Sequence, residues 1–160
     1  MSTELLEAPV TADPAEGSAP LVTRLVTQHG AVWATAATLD TVLARPGDQV
    51  LFFHGDPVRF PEVLDVAVVL PELQAAHAAR PFRIGVVRRE DEDAIARRYG
   101  SQRWPALVFL RDGGYVATVP GMHDWSDFVA RVGAALDSPT SRAPGIGIPL
   151  VSAGATSGCH

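Results

Sequence analysis

The stretch Arg97-Arg98-Tyr99-Gly100-Ser101-Gln102-Arg103-Trp104-Pro105-Ala106-Leu107-Val108-Phe109-Leu110-Arg111-Asp112-Gly113-Gly114 decides how this chain is read. A helix running through Ala94, Ile95 and Tyr99 meets Gly100, the residue type that takes a left-handed C-cap conformation without a side-chain clash, so the helix ends there. Trp104-Pro105 then forces extended backbone ahead of Ala106 to Leu110. That apolar run is too short for a helix and is bounded by turn residues, which predicts a buried strand. Asp112-Gly113-Gly114 supplies the positive φ angles of a tight hairpin, and Tyr115 to Val119 forms the partner strand. A proline in a central strand removes a ladder hydrogen bond unless the strand begins there, so Pro105 marks a special turn.

The rest of the chain supplies elements to pack around this one. Leu21, Val22, Leu25 and Val26 keep one helical face and Gly30 closes that helix. Ala31 to Ala34 reads as a short strand, and Thr38 as the N-cap of a short helix through Leu39, Val42 and Leu43 that ends at Pro46-Gly47. Gln49 to His54 is a buried strand followed by the turn Gly55-Asp56-Pro57. Pro71 suits the first turn of a helix, where its missing N–H costs nothing, which predicts a helix from about Leu70 to Ala79. Pro81 to Val87 is the next strand, and Glu90 to Asp93 open the helix that Gly100 ends, their charges complementing its dipole on a solvated face. Asp124 caps a last helix whose Trp125, Phe128, Val129, Val132 and Leu136 recur at spacings of three and four.

With 160 residues, 47% of them hydrophobic, the chain can bury one core. Composition divides it into a flexible N-terminal tail, 1–19, a domain, 20–137, and a flexible C-terminal tail, 138–160. The formal charge of −5 argues against nucleic acid, which is held largely by lysine and arginine on phosphates, and suits a basic partner segment better. Met1 to Ala19 has four acidic residues, Glu4, Glu7, Asp13 and Glu16, and no basic one. It lacks the positive start and apolar core of a secretory signal, and no stretch is long and apolar enough to span a membrane, so a cytoplasmic protein is expected. Cys159 is the only cysteine, so no internal disulfide forms. The histidines show no metal-ligand spacing, and neither metal nor cofactor is expected.

Tyr99-Gly100, Trp104-Pro105 and the Gly-Gly hairpin together resemble the C-terminal half of a thioredoxin fold. The order strand, helix, strand, helix, strand, strand, helix behind an extra N-terminal helix fits that fold: α/β, with a central mixed sheet flanked by helices. The resemblance implies a cis Trp104-Pro105 bond beside the loop after the central strand. Disulfide exchange needs two thiols at Cys-X-X-Cys, whereas this loop reads His54-Gly55-Asp56-Pro57-Val58-Arg59-Phe60-Pro61. Disulfide exchange is therefore excluded by composition.

Pro61-Glu62 after that cysteine-free loop, Tyr99-Gly100, Trp104-Pro105-Ala106, Gly113-Gly114-Tyr115 and Gly121-Met122-His123-Asp124-Trp125 together resemble the hydrogenase expression and formation proteins of the HyaE, HupG and HoxO type. The likeness runs from about Leu21 to Leu136. It implies a non-enzymatic, non-redox chaperone in maturation of an uptake nickel-iron hydrogenase. The implied client is the small-subunit precursor with its twin-arginine signal peptide, held before export, with other hydrogenase accessory proteins as further partners. Two other readings stand beside it: a thioredoxin-fold enzyme using His54 and Asp56 in non-thiol chemistry, and a scaffold subunit of a hydrogenase assembly complex.

An arginine pair calls for carboxylates, and Asp56, Glu62 and Asp65 near the vacated loop are the candidates, with Glu90 to Asp93 at the start of another helix. Trp104, Pro105, His123 and Trp125 complete the candidate partner-binding set, with Trp104 and Trp125 read as core or groove wall.

Overall fold

The computed structural model describes residues 18–144; the expectations for residues 1–17 and 145–160, Cys159 included, lie outside the described residues. In chain order it holds α1 (Pro20–Gln28), β1 (Val32–Ala34), α2 (Leu39–Leu43), β2 (Asp48–Phe53), α3 (Glu62–Ala76), β3 (Arg83–Val87), a 3-10 turn (Arg89–Asp91), α4 (Glu92–Arg98), β4 (Ala106–Arg111), β5 (Gly114–Pro120) and α5 (Trp125–Asp137). The five strands form one sheet in the order β1-β3-β2-β4-β5. β1, β3 and β2 are parallel, and β4 and β5 run antiparallel to their neighbours.

The central strands β2 and β4 carry continuous apolar runs, Val50 to Phe53 and Ala106 to Leu110, because both sheet faces are covered there. In β2, Val50 and Phe52 point to one face, where they meet Val22 and Leu25 of α1, Val63, Val66 and Leu70 of α3, and Phe128 and Val132 of α5. Leu51 and Phe53 point to the other, against Leu39 and Val42 of α2 and Ile95 and Ala96 of α4. β4 alternates in the same way, Leu107 and Phe109 against Val108 and Leu110. The opening stretch folds as its residues dictate: Gly100 takes φ +71° after α4, Asp112 and Gly113 take +52° and +83° in the hairpin, and Trp104-Pro105 is cis.

Three local expectations are corrected. The helix assigned to about Leu70–Ala79 is α3, which begins at Glu62 and carries Pro71 in its interior. The run Val63, Val66, Ala67, Leu70 and Leu73 buries one continuous face, and that burial outweighs the one backbone hydrogen bond the proline removes. Thr38 and Asp124 stand at helix starts, but neither side chain makes a capping bond. The Thr38 hydroxyl instead accepts the Thr35 N–H at 3.0 Å.

Two arginines close the C-terminal end of α5, whose last carbonyls have no helical partner. Arg80 reaches the Leu136 carbonyl and the Asp137 carboxylate. Arg111 donates to the carbonyls of Leu136 (2.8 Å) and Ser138 (2.7 Å) and to Asp48 Oδ1 (2.6 Å). Beyond it, Ser141 donates to the Tyr115 carbonyl at 2.8 Å, Ala143 packs on the α2/α4 face, and the Pro144 carbonyl lies against Gly100. Residues 138–144, which composition assigns to the tail, are thus placed against the hairpin. Arg111→Met is expected to lower stability by about 1 to 2 kcal/mol in urea denaturation, since it strips the Ser138 carbonyl and the half-buried Asp48 carboxylate of their donor and leaves the Leu136 carbonyl to Arg80 alone.

Candidate functional site

The strand register brings three chain segments to one end of the sheet. Phe53 pairs with Ala106, so the end of β2 meets the beginning of β4. β3 is parallel to β2, so its end and the 3-10 turn after it arrive at the same place. Crevices for ligands form where strand ends diverge in this manner. Here the crevice is an open cleft of about 380 Å³, lined by Gly55, Asp56, Arg59 and Phe60 after β2, by Arg89, Glu92 and Asp93 at the start of α4, and by Trp104 ahead of β4.

The loop after β2 is shaped by its own side chains. Asp56 Oδ1 accepts the Val58 N–H at 2.9 Å, and the Asp56 carbonyl accepts the Phe60 N–H at 2.8 Å, an Asx turn that carries the chain into α3. It leaves Val58 87% exposed. Gly55 takes φ +69° with the Trp104 ring directly over it, so close that a Cβ would lie 2.8 Å from Trp104 Cδ1. The Arg59 guanidinium sits 5.4 Å from the Phe60 ring centroid.

Under the cleft lies a buried acid. Glu92 is 1% exposed; its Oε2 accepts the backbone N–H of His54 at 2.6 Å and of Gly55 at 3.0 Å, and Oε1 shares the Gly55 N–H at 3.1 Å. Arg89 Nη1 stands 3.6 Å from Oε1. Burial pushes the carboxyl up to about 7, against the opposing pull of the Gly55 and His54 N–H groups, the Arg89 charge and the Trp104 side chain. His54 is buried beside it, its Nε2 3.8 Å from Glu92 Oε2. Nε2 lies 2.9 Å from the Val87 carbonyl and Nδ1 3.3 Å from the Gly55 carbonyl. Burial lowers this imidazole to about 4, although both carbonyls favour its charged form. The neutral ring has one N–H, and the shorter contact assigns it to Nε2.

The candidate residues divide by place. Asp56 and Trp104 line the cleft. Pro105 is buried beneath it, its carbonyl accepting the Gly121 N–H at 2.8 Å. Glu62 and Asp65 are exposed in the first turn of α3, outside the cleft lining. His123 ties its own loop down: Nε2 donates to the Pro120 carbonyl at 2.7 Å, Nδ1 is 3.4 Å from Asp127, and the ring packs edge-on to Phe128 at 5.2 Å. Trp125, read as core or groove wall, is 48% exposed at the start of α5 and is not part of the cleft lining. His54 and Asp56 share no hydrogen bond; the ring faces main-chain carbonyls and the carboxylate faces its own turn.

From sequence, Glu92 is named only within the run Glu90 to Asp93, a set of carboxylates at a helix start, and is not singled out as the buried one. Its spacing held the signal: Glu92, Ile95, Ala96 and Tyr99 stand at i, i+3, i+4 and i+7, the stripe that α4 buries.

Comparison with known proteins places the chain. The sequence model described as "Hydrogenase-1 expression protein HyaE" matches residues 21–128. The hydrogenase expression/formation protein HoxO of Cupriavidus necator is 56% identical over 143 residues, covering 88% of this chain and 88% of that protein. HupG of Bradyrhizobium diazoefficiens, also named a hydrogenase expression/formation protein, is 37% identical over 137 residues, covering 83% and 92%. Among solved structures, human ERp44 in its zinc-bound form superposes with a TM-score of 0.51 at 16% identity, over 64% of this chain and 29% of that one. That likeness concerns the fold, which is thioredoxin-like, here without the Cys-X-X-Cys motif. With a family match over most of its length and relatives of this identity, the chain belongs to the HyaE family of hydrogenase expression/formation proteins and takes part in hydrogenase maturation.

Proposed function

We propose that this protein is a non-redox chaperone that binds the small-subunit precursor of an uptake nickel-iron hydrogenase in the cytoplasm, through its twin-arginine signal peptide, before export. The observation that carries this reading is the cleft at the end of β2. It stands where a thioredoxin-like fold carries its reactive loop, contains no thiol, and is lined by carboxylates (Asp56, Glu92, Asp93) and aromatic walls (Phe60, Trp104). Carboxylates suit an arginine pair, but one exposed ion pair contributes only about 0 to 1 kcal/mol. A micromolar complex needs roughly 8 kcal/mol, so apolar burial of the peptide's hydrophobic region against Val58, Phe60 and Trp104 supplies most of it. Glu62, Asp65, His123 and Trp125, outside the cleft lining, serve as secondary contacts, and other hydrogenase accessory proteins are further partners.

Calorimetric titration with the precursor's signal peptide is expected to give binding that a twin-lysine version weakens and that Asp56→Asn weakens further. Binding of the mature subunit alone, with no response to the peptide, would replace signal recognition by custody of the folded subunit. Silence from both would end the chaperone reading.

A further inference from the structure

We propose that the floor of the cleft is a seat for one guanidinium group, that Glu92 is the carboxylate that holds it, and that Arg89 is the chain's own occupant, displaced when an arginine of the ligand arrives. The identity of that ligand rests on the function proposed above; the seat itself does not.

The geometry around Glu92 is lopsided. Oε2 takes two backbone N–H groups, Oε1 has the longer, shared bond from Gly55, and the Trp104 side chain is a further donor to the carboxylate. A carboxylate has about four acceptor sites, so these three N–H donors leave capacity for another, and Glu92 is part of the cleft lining. The one cation near Oε1, Arg89, is 3.6 Å away with its side chain 40% exposed, beyond hydrogen-bond distance, and its guanidinium makes no hydrogen bond among the described residues. A buried carboxylate with a loosely held guanidinium beside it is a half-made version of the bidentate pair such groups form at about 2.7–2.9 Å. An incoming arginine completes the pair and Arg89 moves outward, so the acid is never left facing an empty cleft, which would be costly.

The walls select arginine over lysine. Trp104 and Phe60 offer ring faces on which a planar, weakly hydrated guanidinium stacks, and Phe60 already carries Arg59 in this manner. The charged and titratable groups facing Glu92 are His54 at the end of β2 and Arg89 before α4, with Asp56, Arg59 and Asp93 around the rim. Because burial pushes the Glu92 carboxyl up to about 7 while His54 is held down at about 4, the seat gains its charge between pH 6 and 8. Guanidinium affinity therefore rises by up to about tenfold across that interval.

The test uses arginine amide and lysine amide as probes on the full chain, followed by amide ¹H–¹⁵N resonances. The His54 and Gly55 N–H groups bond directly to Glu92 and report on it without any protein partner. Arginine amide is expected to move both signals more than lysine amide does. Glu92→Gln, which keeps the side-chain shape, is expected to weaken arginine amide by about tenfold or more, the worth of a hydrogen bond to a charged group. Arg89→Ala is expected to tighten it by about two- to fivefold, the worth of one partly exposed ion pair removed from competition. A merely structural role for these residues does not produce opposite signs. Arg89→Ala that weakens binding or leaves it unchanged, or equal responses to the two amides, overturns the seat; because Arg89 is partly exposed, this arm stands even where Glu92→Gln fails to fold. If the seat behaves as expected while the signal peptide does not bind, the chaperone reading fails alone. If the peptide binds without moving the His54 and Gly55 signals, the seat fails alone.

Discussion

Gly55→Ala is expected to destabilise the chain by about 2 to 4 kcal/mol, the sum of a left-handed backbone penalty and an overpacking term. Gly55 sits at φ +69°, and an added Cβ would lie 2.8 Å from Trp104 Cδ1, 3.0 Å from Trp104 Cγ and 3.1 Å from Phe60 Cδ2. None of these is the loose end of a flexible side chain. Trp104 enters the buried strand β4 two residues later, and Phe60 packs partly against the α1/α3/α5 core. Gly121→Ala is the internal control: its φ is +81° with nothing within 4 Å of the added atom, so it carries the backbone penalty alone, about 1 kcal/mol. Urea denaturation of the two variants separates the terms. The excess for Gly55 measures how firmly Trp104 is seated on the loop, and adding Trp104→Ala should recover part of it. Equal losses at the two glycines would mean that the indole yields freely, and that the cleft has no fixed wall on that side.

How much of this was legible depended on whether a residue's role is local. Gly100, Asp112-Gly113 and the apolar runs of β2 and β4 declare themselves, because backbone conformation and two-sided burial act on the residue and its neighbours. The cysteine-free loop after β2 was legible as the place to look, and Asp56 and Trp104 do line the cleft there. Pro71 misled because its tolerance at a helix start is a local rule, while α3 is held by the length of its buried face. Glu92 was hidden for the opposite reason. An acid in the first turn of a helix has a sufficient local explanation, and the backbone N–H groups it serves are 37 and 38 residues away in sequence. Only the helical spacing to Ile95 and Tyr99 marks it as inward-facing. His123 is a contact candidate because loop histidines are versatile, and the structure adds a bond that closes its own loop, which the sequence alone does not show.

The same buried pair gives the largest expected pH effect. Glu92 is raised from its ordinary 4.5 to about 7 by burial, so the folded chain binds that proton more tightly than the unfolded one. Its contribution to stability is whole below 4.5 and is lost as pH climbs through about 7. His54 is lowered from 6.5 to about 4, again by burial. The unfolded chain binds that proton more tightly, so folding is penalised at low pH and the penalty lifts as pH rises from about 4 to 6.5. In the parent chain the two contributions oppose each other over nearly the same interval and largely cancel, hiding both. Glu92→Gln removes the falling arm and leaves the rising one. The stability of the variant relative to the parent is therefore expected to rise by about 3 kcal/mol between pH 4.5 and 7, each shifted unit being worth about 1.4 kcal/mol. Denaturant midpoints of the two chains, measured in parallel at half-unit steps, give this difference directly, since every other titrating group is common to both. A difference that stays level means that the Gly55 and His54 N–H groups hold Glu92 ionised in the folded chain despite its burial. A difference that is level above pH 4.5 but falls as pH approaches 4.5 from below means that they hold it more strongly folded than water does unfolded, and the carboxylate is then a permanent anion under the cleft.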